Sequence, residues 1–156
     1  MIIIRKVKKG DIKQVAKLQS QFTQAHKEFN PSIYEPKNDF SQIWKEYAIK
    51  SIVNENKFFI LAEIERKIVG YAIVTISKRA PVYKISKIGT LDAITVNSNH
   101  RNKGIASKLL DKCLEWFKEH NINYVEDFVD SKNIGSLKLN KKFGFEEYQK
   151  RMILKL

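Results

Sequence analysis

The sequence predicts one α/β (α+β) domain over residues 1–156, with a mixed, mostly antiparallel central sheet flanked by about four helices. Three observations support this fold class. The chain has 156 residues, the size of one ordinary domain, and no repeat or Pro/Gly/Ser-rich linker divides it. Hydrophobic residues make up 43% and charged residues 29%, so the chain can bury a core and is not mostly disordered. β-rich runs and helical stripes alternate in the order β-α-α-β-β-β-α-β-α-β.

The first part of the chain predicts one strand and two helices. Ile2 to Lys8 is a short β-rich run. Asp11 is placed to cap the first helix, along which an apolar stripe continues at helical spacing. Two Xaa-Pro steps interrupt that pattern, because a residue before proline avoids the helical basin. A second helix is expected to start at Asp39 or Ser41.

Three further β-rich runs predict most of the sheet. Lys57 to Ile64 and Ile68 to Ile76 lie on either side of a short polar link, which indicates an antiparallel hairpin. A basic loop containing Pro81 then leads to the next strand, Ile88 to Val96.

The last part of the chain predicts a helix, a strand, a helix and a strand. A long helix with two apolar rows begins after Asn102 and leads to a strand at Tyr124 to Val129. A strand–helix–strand unit of this kind is parallel and right-handed. A short helix at Asn133 to Lys142 is stopped by Gly144, and Phe145 to Leu156 is a final extended segment.

Composition excludes several classes of protein. The longest uncharged apolar stretch, Ile68 to Ile76, has nine residues, whereas a membrane-spanning helix needs about 20. Too few apolar residues follow Met1 for a signal peptide, so we expect a cytoplasmic protein with no membrane partner. The single cysteine, Cys113, leaves no disulfide framework, and with three scattered histidines it predicts no metal site.

The net charge of +12 favours anionic partners such as phosphorylated cofactors or nucleic acid. The lysines that dominate this charge are spread along the chain, which favours a solvated surface over a dedicated nucleic-acid face. A basic nucleic-acid-binding domain remains an alternative, and it predicts binding that weakens steeply with salt.

The most informative segment is a strand, a basic turn and a helix start, from Leu91 to Ala106. The first turn of a helix carries free N–H groups and a partial positive charge, and Gly104 allows a phosphate to approach the backbone. Arg101 and Lys103 add full charges. The Walker and dinucleotide glycine patterns are both absent, so this anion site predicts a phosphate ligand other than ATP or NAD.

The run Arg101-Asn102-Lys103-Gly104-Ile105-Ala106 resembles the Arg/Gln-x-x-Gly-x-Gly/Ala motif of the GNAT superfamily of acyl-CoA N-acyltransferases. A second signature of that family, an Asn, a short helix and Gly-Phe, is matched from Asn133 to Phe145. The resemblance covers essentially the whole chain in element order. It implies acetyl-CoA (coenzyme A) as cofactor, with its pyrophosphate on the turn amides and its pantetheine arm beside the fourth strand. The implied cofactor-binding residues are Ile94, Val96, Arg101, Asn102, Lys103, Gly104, Ile105, Ala106, Asn133 and Ser136.

The chain departs from the family at Asn140, where a tyrosine is often the general acid for the leaving thiolate. Asparagine cannot donate a full proton at neutral pH, but it can bond the sulfur or orient a water. Tyr124 and Tyr148 are possible replacements. Asp92 is the candidate catalytic base or ammonium ligand, because an amine of pKa near ~10.4 must lose a proton before attack. The alternative for Asp92 is a solvent-facing carboxylate paired with a lysine.

The family builds its acceptor wall between the first two helices, where this chain has His26, Tyr34 and Glu35; ordinary loop surface is the alternative. The resemblance implies an acetyl-CoA-dependent N-acetyltransferase that acts by direct transfer in a ternary complex. The acceptor is a primary amine of a small molecule or of a protein. The alternative is a non-catalytic CoA-binding sensor, which Asn140 favours. A homodimer is expected because a single final strand would leave an exposed edge.

Overall fold

A computed structural model describes all 156 residues and contains one five-stranded sheet and four α-helices. The strands are β1 (Ile3–Lys6), β2 (Lys57–Ile64), β3 (Lys67–Lys78), β4 (Lys87–Val96) and β5 (Val125–Asp127). The helices are α1 (Ile12–Phe29), α2 (Phe40–Ile52), α3 (Ile105–Glu119) and α4 (Ile134–Lys142). None of these helices combines the length with the apolarity that crossing a bilayer requires.

The sheet has the strand order β1-β2-β3-β4-β5. The first four strands pair antiparallel with their neighbours, and β4 pairs parallel with β5. The predicted fold class, a mostly antiparallel sheet with one parallel pair and four helices, is therefore confirmed.

The β2–β3 hairpin turns through Glu65 and Arg66, whose φ angles are 48° and 64°. Positive φ at both central residues is the geometry of the tight turn that matches the twist of paired strands. Neither residue is Gly or Asn, so the turn is strained. The long ladder that follows, from Lys57 opposite Thr75 to Ile64 opposite Lys67, holds it in place.

Each face of the sheet carries its own buried apolar cluster. On one face, Leu109, Leu110 and Cys113 of α3 are fully buried against the sheet. On the other face, Val15 of α1 and Trp44 of α2 pack into a cluster with residues of β2 and β3. The sheet is thus covered on both faces, so within the sheet its backbone is reachable where neighbouring strands separate.

Such a separation occurs between β4 and β5. Their register pairs run only from Gly89 opposite Val125 to Leu91 opposite Asp127. Residues 93–96 of β4 continue to pair with β3 but have no strand on their other side. Half of one edge of β4 is therefore left without a partner strand.

A β-bulge lies at the point of separation. Ile73 pairs with Ala93, and the next residue, Val74, pairs with Leu91, so Asp92 is the extra residue of β4. A bulge bends its strand and redirects a side chain, and bulges are common beside functional sites.

Asp11 precedes α1 as predicted, but its carboxylate makes no cap hydrogen bond to that helix. Its Oδ2 instead accepts the backbone N–H of Lys8 at 2.8 Å and a hydrogen bond from Arg5 Nη1 at 2.7 Å. Arg5 also donates to Glu63 Oε2 at 2.9 Å. Arg5 therefore joins the start of α1 to β1 and β2, and its guanidinium lowers the pKa of Asp11.

The expected final strand, Phe145 to Leu156, is wrong, because this segment forms no strand. The adjacent β5 is also shorter than the predicted Tyr124 to Val129, and its three residues offer too few backbone partners. Met152, Ile153 and Leu154 are consequently exposed. The homodimer stays a prediction, although the strand edge that it was expected to cover is absent.

Replacing Asp11 with Asn should lower the free energy of unfolding at pH 7 by about 1 kcal/mol, because the charge-assisted bond to Arg5 is lost. The pKa of Asp11 is lowered in the folded protein, so this stabilisation is present above the ordinary value of 3.8 and disappears as the pH falls further. The difference should therefore vanish in strong acid. Urea unfolding at both pH values measures it, with the exposed Asp39→Asn as control. An equal loss at both pH values would contradict the role of the ionised carboxylate.

Candidate functional site

A cavity of about 610 Å³ lies where β4 and β5 separate. Its walls come from the C-terminal half of α1, from β4, from the turn that opens α3, and from the segment between β5 and the end of α4. Of the fifteen residues predicted to act in catalysis, cofactor binding or acceptor binding, three lie outside its lining: Lys103, Tyr34 and Glu35. The other twelve line it: His26, Asp92, Ile94, Val96, Arg101, Asn102, Gly104, Ile105, Ala106, Asn133, Ser136 and Asn140.

The turn before α3 forms a cradle of free backbone donors. None of the N–H groups from Asn102 to Ser107 donates to another backbone carbonyl. Asn102 and Gly104 have φ angles of 60° and 75°, an alternation that points successive N–H groups into one concave surface. A Cβ built on Gly104 meets no atom within 4 Å, so it would project into the open cradle. Together with the positive end of the α3 dipole, these donors suit an anion.

Basic side chains surround the cradle. Arg101 Nε donates to the Val96 carbonyl at 3.3 Å, and Lys142 Nζ lies 3.1 Å from Ser107 Oγ in the first turn of α3. Lys138 also lines the cavity, one helical turn before Lys142. Lys103 instead donates to the Asn99 carbonyl at 3.4 Å. The lysines of α4 were missed by sequence reasoning, and their spacing of four residues was the available signal.

The unpaired edge of β4 presents backbone groups to the cavity. The Asn97 N–H donates to the Val69 carbonyl at 2.8 Å, which fixes the alternation of the β3–β4 ladder. The backbone groups of Ile94 and Val96 consequently point away from β3, toward the gap, where the Val96 carbonyl also accepts from Arg101. An extended ligand can pair with them as an additional strand would.

Asp92 lies in the cavity and is also paired with a lysine, so the lysine pairing is observed and the role as base stays a prediction. Lys57 Nζ is 3.1 Å from Asp92 Oδ2, and the Thr75 hydroxyl donates to the same oxygen. Burial works against the charge of Lys57, but its bonds to Tyr47 and Asp92 outweigh burial and raise its pKa. Oδ1 of Asp92 receives no hydrogen bond from the protein and is available to a ligand.

Asn140 is buried and holds a carboxylate that sequence reasoning missed. Its Nδ2 donates to Asp127 Oδ2 at 2.8 Å. Burial raises the pKa of Asp127, and the hydrogen bonds from Asn140 and the Phe128 backbone only partly oppose it. Asp127 stands at the last register pair of β5, directly at the cavity. An acidic residue inside a β-rich run was the signal that could have identified it.

The two tyrosines considered as replacement acids lie outside the cavity lining. Tyr124 is 58% exposed and Tyr148 is 72% exposed. The Tyr148 hydroxyl donates to Glu126 Oε2 at 2.6 Å. Neither hydroxyl therefore faces the carboxylates of the cavity.

Asn133 caps the helix that carries Asn140. Its Oδ1 accepts the Ser136 N–H at 3.1 Å and so satisfies one free donor of the first turn of α4. Both residues line the cavity, but this contact gives them a structural role in placing α4.

Two of the three candidate acceptor residues, His26 and Tyr34, are in ring contact, but only His26 lines the cavity. His26 lines the cavity, with its ring centroid 4.1 Å from that of Phe22 and 5.4 Å from that of Tyr34. Glu35 is paired with Lys27 at 2.9 Å. Phe22 and Phe29 line the cavity and were missed by sequence reasoning, because helical apolar positions ordinarily predict core.

Comparison with known proteins agrees with this geometry. Residues 19–145 match the family model described as the Acetyltransferase (GNAT) family. The chain belongs to this family. Over 146 residues it is 27% identical to an uncharacterized N-acetyltransferase, MJ1207, of Methanocaldococcus jannaschii, and the match covers 92% of this chain. The chain spans about 60% of the length of that curated relative.

Solved structures share the GNAT fold. A mutant of the BH1408 protein from Bacillus halodurans has a TM-score of 0.89 at 20% identity, with 99% of each chain covered. A predicted acetyltransferase from Clostridium acetobutylicum, crystallised with acetyl-CoA, has a TM-score of 0.79 at 22% identity, covering 99% of this chain and 96% of its own. Several aminoglycoside 6′-N-acetyltransferases also share the fold, at 15 to 18% identity.

Replacing Asp127 with Asn should raise the free energy of unfolding at pH 7. Because burial raises the pKa of Asp127, the folded protein binds a proton above the ordinary value of 3.8 that the unfolded chain has lost, so stability falls as the pH rises through that window. Asn removes the buried charge and can still accept the hydrogen bond from Asn140. The gain should disappear below the ordinary pKa. Urea unfolding measures it against Asp111→Asn, an exposed control, and a loss of stability at pH 7 would contradict the assignment.

Proposed function

We propose that the protein is an acetyl-CoA-dependent N-acetyltransferase that transfers the acetyl group directly to a primary amine within a ternary complex. The single observation that carries the proposal is the cradle of free amides from Asn102 to Ser107, which lies beside the unpaired edge of β4. A diphosphate with a long extended arm is the ligand that such a combination fits.

The residues present fit coenzyme A. The amides from Asn102 to Ser107 would hold the pyrophosphate, with Arg101 and Lys142 beside them. The backbone of Ile94 and Val96 would pair with the amides of the pantetheine arm. When bound, acetyl-CoA supplies the acetyl thioester that the amine attacks.

Asp92 is the proposed base. An alkylammonium of pKa near ~10.4 must lose a proton before its nitrogen is nucleophilic. Lys57 and Thr75 hold Oδ2 of Asp92, which orients the carboxylate, and Oδ1 is left to take that proton. Asp92 is also the bulge residue of β4, so it occupies the position where the strands separate.

Asn140 does not supply a proton in this proposal. Its side-chain amide is bound to Asp127, and it keeps that carboxylate in place at the cavity. A thiol of pKa near ~8.5 gives a thiolate that is a fair leaving group without an acid. The missing family tyrosine therefore leaves the transfer chemically possible.

A non-catalytic CoA-binding sensor is the second candidate. The observation in its favour is that position 140 carries Asn, which cannot act as the proton donor for the leaving thiolate. A sensor would use the same cradle to bind CoA, but it would not acetylate any amine. Amine-dependent release of CoA from acetyl-CoA, measured over a panel of amines against the rate without amine, separates the two candidates.

Replacing Gly104 with Glu should abolish acetyl-CoA binding, because a side chain and a negative charge both enter the cradle. The fold should survive, because no atom blocks the new side chain and one strained residue at a φ of 75° costs only about 1 to 2 kcal/mol. Gly144→Glu is the matched control, since Gly144 has a similar φ of 84°, no atom near its Cβ position, and a place outside the cavity lining. Calorimetric titration with acetyl-CoA measures the effect. Wild-type affinity in Gly104→Glu would place the pyrophosphate elsewhere.

Replacing Asp92 with Asn should lower the transfer rate by ~10²–10⁴-fold, the usual effect of removing one general base. Acetyl-CoA affinity should change little, because the proposed contacts of the cofactor lie on backbone groups. Higher pH should partly restore the rate, since more amine is then already deprotonated. Asn140→Ala should lower the transfer rate far less than Asp92→Asn does. A wild-type rate and pH profile for Asp92→Asn would remove Asp92 from the reaction.

A further inference from the structure

The C-terminal half of α1 carries an aromatic surface without a role in either core. Phe22, His26 and Phe29 belong to neither apolar cluster, are half-buried, and line the cavity. Their rings are in contact: the His26 centroid lies 4.1 Å from that of Phe22 and 5.6 Å from that of Phe29. We call these three residues the aromatic wall.

The aromatic wall is held in a defined orientation. The Nδ1 of His26 lies 2.9 Å from the Phe22 carbonyl, and because a carbonyl only accepts, Nδ1 carries the proton. Tyr34 packs edge-on against His26, with ring centroids 5.4 Å apart. The Lys132 ammonium donates to the Phe29 carbonyl at 2.7 Å and so ties the end of α1 to the segment before α4. The wall is therefore preorganised, which lowers the entropic cost of binding a ring.

The charges of the cavity disfavour a polycationic acceptor. Its two carboxylates already have partners, Lys57 for Asp92 and Asn140 for Asp127. Four cationic side chains line the same cavity, one of them, Lys132, beside the aromatic wall. A second ammonium on the acceptor would meet Lys132 beside the aromatic wall. It would find one carboxylate already paired with Lys57 and the other, Asp127, disfavoured in its charged form by burial.

We propose that the acceptor is a small arylalkyl monoamine, a molecule with a primary amine a short distance from one planar apolar ring, whose ring packs on the aromatic wall formed by Phe22, His26 and Phe29. This inference rests on the proposed acetyl transfer and specifies its acceptor class. The ring would gain contact with three aromatic side chains, and the single ammonium would lie toward Asp92. A peptide that begins with Phe presents the same chemistry. The cavity of about 610 Å³ must also take the pantetheine arm, which favours the small molecule.

The test compares a primary amine that carries one planar ring with amines that lack the ring, carry several charges or are larger. We expect kcat/KM for 2-phenylethylamine to exceed that for n-butylamine by at least about tenfold, the effect of burying one ring. Spermidine, kanamycin and a tripeptide that begins with Phe should be poorer acceptors than 2-phenylethylamine. A higher kcat/KM for any of these three would overturn the proposal.

Two variants locate the ring. Phe22→Ala should raise KM for 2-phenylethylamine about tenfold and leave that for n-butylamine nearly unchanged. Tyr83→Ala is the matched control, since Tyr83 is 54% exposed, stacks on Arg79 and lies outside the cavity. Wild-type affinity for CoA shows that each variant is folded. An unchanged KM in Phe22→Ala would overturn the proposal.

Calorimetric titration of the CoA-bound protein with 2-phenylethylamine separates this inference from the proposed transfer. Binding that Phe22→Ala weakens and Tyr83→Ala does not, without release of CoA from acetyl-CoA, would retain the acceptor site and refute the transferase. Turnover of n-butylamine without any measurable preference for the aryl amine would retain the transferase and refute the acceptor class. No binding of 2-phenylethylamine in the wild-type protein would overturn the inference.

Discussion

The site depends on the short pairing of β4 with β5. A parallel pair normally continues along both strands, and each backbone group left without a partner costs free energy when it is buried. Here the pairing ends at Leu91 and Asp127, and the rest of β4 keeps only its bonds to β3. Because both faces of the sheet are covered by helices, this gap is where a ligand reaches the strand backbone. The free edge of β4 and the cavity both result from this separation of β4 from β5.

Several polar features converge on the gap because each is attached to an element that borders it. The turn after β4 leads directly into α3, so free amides of the helix start lie at the end of the free edge. α4 brings Asn140 to Asp127 and Lys142 to Ser107 from the other side. The bulge adds Asp92 at the point of separation. The unpaired stretch of β4 therefore connects the anion-binding cradle at one end of the cavity with the carboxylates of Asp92 and Asp127 at the other.

The electrostatics of the cavity are consistent with a phosphate-bearing ligand and a sparingly charged acceptor. The net charge of +12 is distributed over the whole surface, yet Arg101, Lys138 and Lys142 concentrate part of it near the cradle. Asp127 lowers the stability of the folded protein at neutral pH, because burial favours the neutral form of its carboxyl group. Strained or costly groups of this kind are typical of functional sites, where stability is given up for chemistry.

Local sequence was sufficient for the features that depend on neighbours along the chain. The order of strands and helices, the basic Gly104 turn and the helical rows of α3 follow from periodicity and from the free donors of a helix start, which need no distant partner. The Asp127–Asn140 contact and the choice of Lys57 as the partner of Asp92 could not be predicted, because each joins residues on different elements. The spacing of the aromatic wall residues along α1 was visible in the sequence, but only the structure shows that these rings line a cavity and not a core. The same applies to the final segment, whose β-rich composition predicted a strand that the short β5 gives nothing to pair with. Apart from that segment, the local sequence determined which elements form. Only the tertiary structure decided which side chains meet, because those contacts depend on strand register and on where β4 and β5 separate.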